Sequence, residues 1–156
     1  MFDHEKLDVY RLELEFISWV TPLLDEVSRV ATGRTREVCD QLERASLSSL
    51  LNTAEGNGKR QRQVRAKFFD DARGSATECA ACLDALVAKK LVSQERILAG
   101  KQMLLRIVSM LSKLVDRFED ASVLHDLECE VQSPVSPDSV CYSKPRTRTT
   151  TRTRTK

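Results

Sequence analysis

The sequence predicts an all-α fold, an antiparallel up-down four-helix bundle followed by a disordered C-terminal tail. Three observations predict it. Four stretches repeat apolar residues at the helical period. Short joints with turn or capping residues separate them. Aromatic residues make up only 5% of the chain, which suits helices packed through Leu, Val and Ala. The 156 residues supply one such core, assigned to 1–119, with 120–156 as an appended tail.

The first helix is expected over 5–30. Leu12, Phe16, Trp19, Val20, Leu23 and Val27 form one apolar stripe. Leu7, Tyr10, Leu14, Ile17 and Leu24 form a second beside it, leaving a narrow polar face around Arg11, Glu15, Ser18 and Asp25. A monomeric bundle needs one stripe per helix. The second points to a surface covered by another subunit, and a broad core face with some exposed Leu is the plainer alternative. Pro22 is expected to kink this helix or break one of its hydrogen bonds.

Gly33 is expected to end the first helix in a left-handed conformation, and Thr35 to cap the second. The second helix reads to about residue 56, with Val38, Leu42, Ala45, Ser49 and Thr53 on one face and Leu47, Leu51 and Ala54 on another. Asn57-Gly58 signals a turn. The third helix reads to about residue 90, with a core stripe of Val64, Phe68, Ala72, Ser75, Cys79, Cys82, Leu83 and Leu86. Its reverse side is small: Gly74, Thr77, Ala81, Ala85 and Ala88. Ser93 caps the fourth helix, whose stripe includes Ile97, Leu104, Ile107, Leu111, Val115 and Phe118. Periodicity fades after 120, with a weak continuation over 123–131.

Net charge is +2, but its distribution is uneven. Residues 120–143 carry five acids and no Lys or Arg, and residues 144–156 carry six bases and no acid. The tail closes in an Arg-Thr alternation holding Arg146, Arg148, Arg152 and Arg154. So little apolar content cannot offset the entropy of ordering, so the tail is expected to be disordered. The acidic N-terminus does not read as a signal peptide, and no apolar run approaches the ~18 residues of a membrane span. Five cysteines at irregular spacing argue against a secreted disulfide framework. A cytoplasmic chain with no membrane partner is the expectation.

Enzyme chemistry finds no foothold in the pattern. His4 and His125 lie outside the core helices, and the Glu-x-x-His pair of di-iron bundles is missing. Asp25-Glu26 and Asp70-Asp71 are sequence neighbours, which do not face each other on a helix. Cys79-Ala-Ala-Cys82 has half the ligands of a zinc site and falls on the core stripe, where Cys acts as a small hydrophobe. No metal, cofactor or catalytic residue is therefore expected.

Two groups of bases stand out as candidate nucleic-acid contacts. Lys59, Arg60, Arg62, Arg65 and Lys67 crowd the joint between the second and third helices, and Arg146, Arg148, Arg152 and Arg154 lie in the tail. Cations of this kind engage phosphates, and with no aromatics among them base stacking is not expected.

The stretch around the joint resembles the bacterial four-helix-bundle family known from intervening sequences in 23S ribosomal RNA genes. The matching residues are Gln41, Leu42, Arg44, Ala45, Ser48, Asn52, Ala54, Glu55, Gly56, Gly58 and Lys59. They continue in Phe68, Ala72, Arg73, Gly74, Ser75, Ala76 and Glu78. The resemblance covers roughly residues 5–118. Leu50 departs from it, standing where members often have Pro, and Pro22 is not part of the pattern. The resemblance implies a non-enzymatic bundle that forms a ring-shaped homo-oligomer, a pentamer. RNA or DNA is the partner that the two groups of bases suggest, and the resemblance implies the alternative, an accessory subunit of a retroelement reverse transcriptase. Arg44, Asn52, Glu55, Gly56, Arg73, Gly74 and Glu78 carry the motif, with an Arg-carboxylate network fixing helix register or a subunit interface as their expected role.

Overall fold

The computed structural model describes residues 2–30 and 33–131, with side chains through Glu119 apart from those of Val30 and Arg34. A 3-10 turn at Asp3–Lys6 leads into four helices: α1 (Asp8–Val30), α2 (Gly33–Gly58), α3 (Arg62–Ala88) and α4 (Gln94–Val131). They pack in sequential order as an up-down bundle, with α3 making the most extensive contacts, to α2 and to α4. Among the described residues no helix is long and apolar enough to cross a membrane.

The core follows the amphipathic stripes. Leu12, Phe16, Val20, Leu23 and Val27 of α1 are buried, whereas Leu14 of the second stripe is 43% exposed. Leu42, Ala45, Ser49 and Thr53 bury the expected face of α2, and Ile97, Leu104, Ile107, Leu111 and Val115 that of α4. Burying side chains of this size stabilises the fold by about 1.5–3 kcal/mol each before the entropy of ordering is counted.

Four local expectations are corrected. Gly33 opens α2 instead of ending α1, and no described glycine has positive φ. Thr35 accordingly lies inside α2 rather than at its cap. α2 runs through Asn57-Gly58 because the Asn57 Oδ1 accepts a hydrogen bond from Arg65 at 3.0 Å instead of bending its own backbone. In the first half of α3 the buried residues are Ala66, Phe69, Ala72 and Ala76, not Val64, Phe68 and Ser75. Phe69 takes the inward place because its ring stacks on Phe118 of α4, with centroids 5.7 Å apart.

Helix ends are set by specific groups. The Ser93 Oγ accepts from the Arg96 N–H at 3.3 Å, capping α4 as expected. α3 closes in a Schellman motif: Leu91 N–H donates to Leu86 O at 3.0 Å and Lys90 N–H to Val87 O at 2.8 Å. Lys90 occupies its left-handed position, with φ 58°. α1 continues through Pro22, whose missing N–H leaves the Ser18 carbonyl without its helical partner on the exposed side.

Candidate nucleic-acid interface

The joint between α2 and α3 sits against Arg117 and Phe118 of α4. Lys59 N–H donates to Gly56 O at 3.2 Å, and α3 restarts at Arg62. Gly56 brings the two helices together here: an added Cβ would lie 2.9 Å from Phe68 Cβ and 3.3 Å from the Phe69 ring. That contact requires a residue without a side chain.

The five bases of the joint are not equivalent. Arg65 stacks over Phe118 at 4.5 Å and Arg62 over the same ring at 5.5 Å. Arg62 also donates to the Arg117 carbonyl at 3.2 Å. Lys59 pairs with Glu55 at 2.7 Å and lies over Phe68 at 4.7 Å. Arg60 and Lys67 stand exposed, with no ion pair to a described residue. The expectation that no aromatics accompany these bases is therefore overturned. Phe118 comes from α4, far away in sequence, and Phe68 faces outward because Phe69 fills the core. The tail bases Arg146, Arg148, Arg152 and Arg154 lie outside the described residues.

The motif residues divide among three places. Arg44 donates to Gln41 Oε1, and the Gln41 amide donates to Glu78 of α3, so the link from Arg44 to that carboxylate runs through Gln41. Asn52 donates to Ser48 Oγ at 3.2 Å, and Ser48 and Ser75 share a hydrogen bond at 3.0 Å across the same seam. Gly56 and Glu55 serve the joint. Arg73 pairs with Asp70 on its own helix at 2.5 Å, and Gly74 faces open space.

A buried polar group absent from the expected site lies at the α1–α2–α3 junction. Glu13 is 2% exposed. Its Oε1 accepts from Ser49 Oγ at 2.6 Å and from Thr53 Oγ1 at 2.9 Å, while Oε2 is buried with no hydrogen-bond partner. Burial pushes its carboxyl up to about 7, against which the two hydroxyls act only in part. The signal was in the pattern: Glu13 stands four residues after Val9 and three before Phe16, on the buried stripe.

Cys39, Cys79 and Cys82 are buried free thiols. Burial, then the neighbouring Cys82 and Glu78, push Cys79 up to about 12, so it stays a neutral core residue. Among the described residues no cluster of three or more His, Cys, Asp or Glu side chains is arranged to hold a metal ion.

Comparison with known proteins gives one family. The profile described as "23S rRNA-intervening sequence protein" matches residues 5–113, most of the chain and all of the joint. Among curated proteins no match is found.

Proposed function

The chain belongs to the 23S rRNA-intervening sequence protein family, and from its basic end we propose that it is a non-catalytic, self-associating bundle that binds nucleic acid through backbone phosphates. The observation that carries this reading is the basic joint, where Arg60 and Lys67 stand exposed. Five bases and no acid occur between residues 59 and 67, and α4 meets them at Arg117, whose carbonyl accepts from Arg62. Stacking on Phe118 holds Arg62 and Arg65 in place, which lowers the entropy lost when they meet a phosphate. Arg60 and Lys67 are free to reach outward. Repeated around an oligomer, such ends add into one positive belt.

The test is the affinity of the full chain for duplex DNA and single-stranded RNA as salt is raised. Each phosphate neutralised on duplex DNA contributes a slope of about −0.9 in log affinity against log salt. Replacing Arg60 and Lys67 by Gln is expected to remove about two such contacts while leaving the fold unchanged. Further replacement of Arg62 and Arg65 lowers the slope again. No binding of the intact chain even at low salt would overturn the reading. The accessory role, in which the bundle serves a protein partner such as a reverse transcriptase, would then take its place.

A further inference from the structure

The second apolar stripe of α1 is not absorbed by the fold. Ile17 and Leu24 form one wall of a half-open groove whose other wall includes Leu47 of α2, and Leu14 and Leu51 stand exposed on the same two helices. The pairing of Glu13 with Ser49 and Thr53 sets Leu14 level with Leu51. Leu47 and Leu51 are 51% and 56% exposed, far more than an apolar pair one turn apart needs to be. Asp25, Asp40 and Glu43 rim the groove, and none pairs with a cation among the described residues.

A complementary surface lies on α4. Leu98 and Leu105, one heptad apart, are 54% and 70% exposed. From Leu98 to Val115 this helix carries three bases, Lys101, Arg106 and Lys113, and no acid. Lys101 is tied to Asp84, leaving the exposed Arg106 beside Leu105. One surface is thus apolar with an acidic rim, the other apolar with a basic flank. They also belong to different helix pairs. α1 contacts both α2 and α4, so the α1/α2 groove and the outer side of α4 face different directions.

We infer that the α1/α2 groove of one copy receives the outer face of α4 from a second copy, in a heterologous contact. This rests on the self-association reading above and assigns its two faces. Leu98 and Leu105 are seven apart on α4, as are Ile17 and Leu24 on α1, with Leu47 and Leu51 one turn apart on α2, a spacing that suits one helix seated between two. Because each copy keeps one groove and one α4 face unused by the same neighbour, the contact propagates into a ring or a filament and does not stop at a two-fold dimer.

Two variants of the full chain test it. Leu47→Arg with Leu51→Arg spoils the groove and keeps the α4 face. Leu98→Glu with Leu105→Glu spoils the face and keeps the groove. All four positions are exposed, and circular dichroism verifies that the helices persist. For a milder second probe, Glu43→Arg alters only the rim. Sedimentation is expected to show roughly tenfold or greater weakening of self-association in each double variant, and smaller weakening for Glu43→Arg. Mixed in equal amounts, the two double variants are expected to form a one-to-one dimer through the remaining intact pair of faces. A wild-type chain that stays monomeric at high concentration overturns the self-association reading itself. A wild-type oligomer unaffected by either double variant overturns only the assignment of faces. Two monomeric variants that do not combine when mixed also overturn the heterologous pairing.

Discussion

Glu13 is a carboxyl held in the bundle core by two hydroxyls and no cation. Ser49 has one hydroxyl hydrogen but lies within bonding distance of both Glu13 Oε1 and the Ala72 carbonyl, at 2.6 and 3.1 Å. When Glu13 is protonated it can donate to Ser49, whose own hydrogen then turns to Ala72. When it is ionised, Ser49 and Thr53 both point at the charge, and Oε2 still has no partner. Below pH 4.5 the group is neutral in the folded and the unfolded chain alike. As pH rises from 4.5 to about 7 the unfolded chain releases its proton while the folded chain keeps it, so stability falls. Above that window both forms are ionised and the loss is complete, about 3 kcal/mol in all. Glu13→Gln is neutral throughout. Urea denaturation at pH 5 and pH 8 should show the variant losing this pH dependence and gaining relative stability at the higher pH. An unchanged difference between variant and parent at the two pH values would sink the argument.

At the scale of elements, α1 is fastened to α4 through Trp19, the chain's single Trp. Its indole lies over Gly100, and an added Cβ there would overlap the ring. Gly100→Ala gains helix propensity of about 1 kcal/mol but forces the ring aside, and overpacking of this kind costs about 1–3 kcal/mol. The expected outcome is a net loss of stability with a shift in tryptophan emission. Placing Trp19→Phe in the same chain should recover part of the stability, because the smaller ring leaves room. Absence of that recovery would mean the close approach does not decide the packing. The sequence carried no sign of this contact, since a lone Gly inside a helical pattern says nothing about its neighbour. The stripes of α1, α2 and α4 were legible because each is long and strictly periodic. The register of α3 at Phe68 and Phe69 was not, because both neighbours satisfy the period and only the ring of Phe118 decides between them. The same long-range contact explains why Arg62 and Arg65 read as bases without aromatic neighbours but are stacked. The joint itself was legible as a run of like charge, whereas the inequality of its members depends on residues some fifty positions away.

At the scale of the whole molecule, the bundle and the residues beyond it divide the charge unequally. Among the described residues the last packed side chains of α4 are Leu111, Leu114, Val115 and Phe118, all before residue 120. Removing residues 120–156 therefore leaves the core and the Phe118 stack in place. The backbone of α4 continues as helix through Val131, so the truncated chain should lose about one-tenth of its helical signal at most. Its melting should stay cooperative at nearly the same temperature, because no described core residue is removed. The same truncation takes away five acids and six bases, which changes net charge little but removes a block of each sign. Phosphate contacts made by the end of the chain would disappear while those of the joint remain, so the salt slope of nucleic-acid binding should fall only in part. Affinity at low salt then reports the opposing effect, since the acids next to the basic end repel phosphate when present. If the truncated chain unfolds, residues after 119 belong to the core. If it stays folded and loses all binding, the bases after residue 143, and not the joint, make the contact.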